Sequence, residues 1–156
     1  MAQHNYQVKI EWTGNRGVGT RSYRDYNRDH VIKGEYKREK IAGSSDPAFL
    51  GDKSRYNPEE LLVSSLSSCH MLWYLHLCAV NHIVVTSYED NATGIMEEDA
   101  SGGGRFTKVT LYPKVCITDK TKLDKANELH AEASKLCFIA NSVNFPIKHQ
   151  PTTSVE

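Results

Sequence analysis

Asn57-Pro-Glu-Glu-Leu-Leu-Val-Ser-Ser-Leu-Ser-Ser-Cys-His70 opens a helix and sets a cysteine inside it. Asn57 is a strong N-cap, Pro58 fits the first helical position, and Glu59 and Glu60 complement the positive end of the helix dipole. Asn57 and Glu60 also make an Asn-x-x-Glu capping box. The apolar residues that follow predict a helix from Pro58 to about Val80, with Asn81 as its terminator and a length of about 34 Å. From Leu72 onward apolar side chains occupy nearly every direction around the axis, which predicts a buried, central helix.

Upstream, Tyr6, Val8, Ile10 and Trp12 alternate with polar residues, the period of a half-buried strand. Thr13 to Gly19 is turn material, and residues 20 to 33 and 35 to 42 read as two further strands of an antiparallel meander. Gly43 to Tyr56 has the Gly, Ser, Pro and Asp density of a loop. Downstream, residues 83 to 97 and 105 to 118 read as two long strands joined by Asp99-Ala-Ser-Gly-Gly-Gly104. A second helix fits Thr121 to about Leu136, with Leu123, Ala126, Leu129, Ala133 and Leu136 at helical spacing. Val143 to Val155 reads as a last strand, confined to a sheet edge by Pro146 and Pro151. This order spells α+β in a single domain over residues 1 to 156.

Nineteen Lys plus Arg balance nineteen Asp plus Glu, without a basic or acidic block. Electrostatic capture of nucleic acid or a membrane surface is therefore not indicated. The apolar stretch around Met71 to Val80 is shorter than the roughly 20 residues a bilayer span needs. The first residues enter a strand pattern without a signal-peptide layout, so a cytoplasmic location is expected. There the four cysteines (Cys69, Cys78, Cys116 and Cys137) start as thiols.

Cys78 and Cys116 sit among apolar neighbours and read as ordinary core cysteines. Cys69 lies within Ser64-Ser-Leu-Ser-Ser-Cys-His70, where small polar residues leave room for something to approach the sulfur. Thiolate chemistry needs a cation or a strong donor to lower a pKa of about 8.5, and a guanidinium is permanently charged. A carboxylate paired with that guanidinium holds it in place. Glu59 is the candidate, since Glu60 serves the cap. Glu59 and Cys69 are ten residues apart on one helix, about 15 Å along its axis. Either the helix breaks near Ser64 to Ser68, or Glu59 comes from a second subunit; the second reading is preferred.

These residues resemble the osmotically inducible protein C and organic hydroperoxide resistance family (OsmC/Ohr). The match lies in Asn57 to Cys69, in Ala131-Glu-Ala-Ser-Lys-Leu-Cys137, and in the opening Trp12-Thr-Gly-Asn-Arg-Gly-Val-Gly-Thr20. The resemblance implies antiparallel sheets wrapped around a long buried central helix, in an intertwined homodimer. It also implies a two-cysteine thiol peroxidase acting on organic hydroperoxides, without cofactor or metal. Cys69 takes the peroxidatic role, Cys137 the resolving role and Glu59 the family's acidic position. An external dithiol, with lipoylated proteins the family's usual source, reopens the disulfide. The family's arginine does not align, since Ala48-Phe49-Leu50-Gly51 stands at one of its usual places. Arg28 is favoured instead, within the polar insert Tyr26-Asn-Arg-Asp-His30, ahead of Arg24 and Arg16.

His70 is expected to border the pocket, and Leu72 and Trp73 to line it for an apolar peroxide or to pack in the core. A metal at Cys69, His70, His76 and Cys78 is disfavoured, because neighbouring helix residues point about 100° apart and no Cys-x-x-Cys or His-x-x-x-His pair exists. The rival class is a noncatalytic dimer of the same fold that binds a small apolar ligand or senses oxidants.

Overall fold

The computed structural model describes Met1–Glu156. It divides into two compact units, Met1–Leu61 and Leu62–Glu156.

In the first unit, β1 (Lys9–Trp12), β2 (His30–Lys33) and β3 (Ile41–Gly43) form an antiparallel sheet in chain order. The meander expected from the sequence is present, but its strands are shorter. Residues 13 to 29 form a closed loop where a strand was expected from residue 20. The Trp12 indole donates to the Asn27 carbonyl at 2.8 Å, and the Asn27 N–H donates to the Gly14 carbonyl at 2.9 Å. A side chain at position 14 would meet the Asn27 carbonyl oxygen at 1.8 Å, so only glycine allows this crossing. The strand expected over 35 to 42 is likewise reduced to β3, because the Lys37 N–H closes a turn onto Gly34 and Tyr36 adopts φ +61°.

Helix α1 covers Pro58–Val80, and the capping box forms as read: Asn57 Oδ1 accepts from the Glu60 N–H at 2.8 Å, and Glu60 Oε2 from the Asn57 N–H at 3.0 Å. The helix is unbroken through its serines. With 23 residues it has the length and apolarity of a bilayer span, which the shorter run from Met71 did not suggest. Its buried residues are Leu66, His70, Tyr74 and Cys78. That four-residue spacing is a single stripe, so the expectation of burial on all sides is corrected. Leu72 and Val80 remain 63% and 56% exposed in the single chain.

In the second unit, each of the two expected long strands is broken in two. β4 (Val85–Asp90) and β5 (Thr93–Glu98) replace one; β6 (Gly104–Leu111) and β7 (Pro113–Ile117) replace the other. The chain changes sheet at each break. β4-β7-β9 and β5-β6-β8 are the two strand orders, where β8 (Ile147–His149) and β9 (Thr152–Val155) supply parallel edges. The tail is thus two edge strands, divided at Pro151. The carboxylate of Asp90 ties the crossing points together, accepting from the Tyr112 N–H at 2.7 Å.

Leu66 packs with Val109 and Leu111 of β6, while Tyr74 and Cys78 pack with β7 and with Ala126, Leu129 and Ala133 of α2 (Leu123–Leu136). Burying a side chain such as Leu66 contributes about 1.5 to 3 kcal/mol. Between these clusters lie three histidines. His70 Nε2 and His130 Nδ1 are 3.0 Å apart, and the His149 ring stands 4.4 Å from that of His70. Burial, reinforced by the neighbouring imidazoles, lowers His70 to about 3; burial, reinforced by His149, lowers His130 to about 4. Burial lowers His149 as well, partly opposed by Asp90. Neutral rings therefore favour the folded state. Their full contribution is present above the ordinary histidine value of about 6.5 and declines as pH falls toward the folded values, because only the unfolded chain takes up protons there. The urea midpoint is expected to fall between pH 7 and pH 5, and His130→Phe to flatten that fall; equal slopes in the two proteins would contradict this.

Candidate functional site

Cys69 stands half-buried in the middle of α1, on a face different from the buried stripe. One and two turns along the axis, the same side of the helix presents Ser65, Leu72, Trp73 and His76. Opposite them are Phe138 and Ile139, the two residues after Cys137. Together with Ser68 these side chains line an open cavity of about 570 Å³, a size suited to a small organic molecule. The Trp73 ring meets Phe138 edge-on, with centroids 5.6 Å apart, and meets His76 in the same manner at 5.9 Å.

Cys137 is buried and caps the end of α2 in extended backbone. The following turn, Ala140–Ser142, folds back over it. The Ala140 N–H donates to the Cys137 sulfur at 3.4 Å, the Asn141 N–H donates to its carbonyl at 3.0 Å, and the Asn141 side-chain amide donates to the Lys135 carbonyl at 3.0 Å. Asn141 therefore closes the helix end, and Phe145 packs against Phe106 in the core. The Cys137 thiol neighbours Cys69. Burial first, and then the nearby Cys69 group, push Cys137 up to about 11, against the opposing pull of the Ala140 and Ile139 N–H groups. Cys137 thus keeps its proton near neutral pH, next to the more exposed sulfur. Both cysteines are free thiols.

The structure brings together Cys69, Cys137, Leu72 and Trp73 of the residues singled out from sequence. His70 is a correction: it is 1% exposed and faces His130, because one helical step turns it about 100° away from Cys69. Glu59 is half-buried in the first turn of α1, while Glu60 is held in the cap. The continuous helix leaves Glu59 about 15 Å along the axis from Cys69 of the same chain.

The three arginines lie in the loop of the first unit. Arg16 is exposed and donates to the Asp25 and Arg24 carbonyls; Arg24 is also exposed. Arg28 is half-buried. Its guanidinium donates to the Tyr23 and Tyr26 carbonyls, both at 2.6 Å, and lies 4.3 and 4.1 Å from the centroids of those two rings. This clasp fixes the cation's position.

Ser65, Ser68, His76, Phe138 and Ile139 were not assigned to the site from sequence. Helical spacing from Cys69 finds Ser65 and His76, spacing from Leu72 finds Ser68, and the last two follow from the turn that positions Cys137. No set of three His, Cys, Asp or Glu side chains converges as a metal ion requires.

The family model described as OsmC-like protein matches residues 51–152. Among solved structures, an OsmC-like protein of unknown function from Vibrio cholerae is 32% identical with TM-score 0.84, over 96% of this chain and 100% of that one. An organic hydroperoxide resistance protein from Elizabethkingia anophelis shares the fold at 16% identity with TM-score 0.67, over 99% of this chain and 100% of that one. A Vibrio cholerae protein proposed to confer organic hydroperoxide resistance, with captopril bound in one of the active sites, gives 20% identity and TM-score 0.61, over 97% of this chain and 93% of that one. No match was found among functionally curated proteins.

Accessibility and burial rank the thiols. With iodoacetamide at neutral pH, mass spectrometry of timed samples is expected to find Cys69 alkylated well before Cys78 and Cys137, since burial also raises the Cys78 thiol; early labelling of Cys78 would contradict this ranking.

Proposed function

Because this chain belongs to the OsmC/Ohr family, we propose that it is a thiol-dependent peroxidase that reduces organic hydroperoxides in stress defence. The family's stress-related, peroxidase-like role supports this reading, and OsmC/Ohr proteins need no cofactor. The observation that carries it is the half-exposed Cys69 at an apolar cavity, beside a buried second thiol.

The Cys69 thiolate attacks the outer oxygen of R–O–O–H. A sulfur–oxygen bond forms, the O–O bond breaks, and the alkoxide leaves as alcohol after taking a proton. Cys69 is now a sulfenic acid. Cys137, deprotonated as it reacts, attacks the Cys69 sulfur; the disulfide forms and hydroxide leaves as water. An external dithiol, such as a lipoylated protein, then returns two electrons and two protons. Burial suits Cys137 to wait as a thiol until a sulfenic acid appears next to it. Leu72, Trp73 and Phe138 suit the cavity to an apolar R group better than to hydrogen peroxide.

The working unit in this proposal is a homodimer, as is typical of the family, and its proposed location is the cytoplasm. The unbroken α1 supports a shared site, because Glu59 then acts across the dimer on a guanidinium that polarises the Cys69 thiolate and the peroxide. Arg28 is the proposed cation, ahead of Arg24 and Arg16. A second reading, a noncatalytic dimer that holds an apolar ligand or senses oxidants, draws on one observation: Arg16 and Arg28 both donate to carbonyls of their own loop.

Turnover of cumene hydroperoxide with dihydrolipoamide separates the two. The peroxidase is expected to consume it continuously, Cys69→Ser to fall to the uncatalysed background, and Cys137→Ser to stop after one equivalent with its sulfenic acid open to dimedone. No consumption by the wild-type protein, together with retained binding of an apolar probe, would move the assignment to the second reading.

A further inference from the structure

The two helices that carry the cysteines are also joined by the buried histidines. His70 follows Cys69 on α1, and His130 lies two turns before Cys137 on α2. Both are almost inaccessible, at 1% and 3% exposure. Their rings are within 10° of parallel with centroids 5.4 Å apart, so the 3.0 Å bond from nitrogen to nitrogen runs in the ring planes. An in-plane bond fixes direction as well as distance. Tyr74 stacks on His130 at 3.9 Å, and His149 of β8 backs His70 at 4.4 Å, so neither ring has room to turn.

This arrangement carries a penalty that an apolar pair would avoid. In a neutral pair one ring donates and the other accepts, which leaves His70 Nδ1 and His130 Nε2 buried without partners. Leucine or phenylalanine would fill such a core without unpaired polar atoms, but would not specify one separation and one rotation of the helices.

We propose that the His70–His130 hydrogen bond is a positioning pair, which holds α1 and α2 in the register that lets the Cys137 sulfur reach Cys69. It rests on the two-cysteine reading above, and it assigns no contact with substrate to either histidine. A disulfide tolerates little misplacement, since its sulfurs must come to about 2.05 Å with a dihedral near 90°. Loosening the rung between the helices lowers the effective concentration of one thiol at the other.

The test is the equilibrium between the Cys69–Cys137 disulfide and dithiothreitol, read by mass spectrometry after acid quench, which does not depend on peroxide chemistry. His70→Leu removes the rung at similar volume; His70→Gln returns an amide nitrogen near the position of Nε2. The expected result is a shift toward the dithiol of about tenfold or more in His70→Leu, with His70→Gln close to wild type. His130→Leu and His130→Asn form the same pair from the other side, for use if a His70 variant does not fold. A folded leucine variant with the wild-type equilibrium would overturn the proposal. So would a wild-type protein in which diamide forms no Cys69–Cys137 disulfide. If wild type consumes no peroxide while the leucine variant still shifts the equilibrium and the amide variant restores it, positioning stands and the peroxidase reading fails.

Discussion

A helix turns its side chains by about 100° per residue, and α1 uses that step to separate two kinds of surroundings. His70 goes inward with Leu66, Tyr74 and Cys78, where strands and α2 close over it. Cys69 goes to an open apolar wall with Leu72, Trp73 and His76. Because the helix is held from Leu66 to Cys78 by its buried stripe, the thiol has a fixed place against which α2 sets a second one. A break among the serines would have allowed Glu59 to approach Cys69 of its own chain, but it would have dissolved this arrangement.

The two sulfurs are neighbours in unlike surroundings, which suits unlike roles. Cys69 is accessible and flanked by small side chains, so a peroxide oxygen has a path to it. Cys137 is enclosed by its own turn, and burial keeps it a thiol near neutral pH. A pair equally exposed would invite oxidation at either sulfur. The aromatic wall of Trp73 and Phe138 suits the proposed apolar peroxide, and Leu72 is exposed in the single chain, where a second copy is proposed to share the site.

Local signals were legible in the sequence and relations between distant segments were not. The capping box at Asn57 fixed the start of α1, and Asn81 its end, because both are short-range backbone effects. The full-length strands read over 83 to 97 and 105 to 118 missed the sheet changes, since period-two patterning continues through a crossover and only the Asp90 to Tyr112 bond marks the place. The loop of residues 13 to 29 was missed because Gly14 matters through its contact with Asn27, thirteen positions away. At the site, Cys69 stood out through its serines. The role of Cys137 came from resemblance alone, and its closeness to Cys69 needed the fold. His130 carries no sequence signal at all: it sits at a core position of an ordinary amphipathic helix and acquires meaning only opposite His70.

The central claim is that Cys69 and Cys137 form one redox couple, with Cys69 meeting the oxidant. The most direct measurement is a nonreducing peptide map after one equivalent of cumene hydroperoxide is added to the fully reduced protein. The account predicts a single cross-link between the Cys69 and Cys137 peptides, with Cys78 and Cys116 recovered as thiols. An unmodified Cys69, or a cross-link that runs through Cys78 or Cys116, would contradict it.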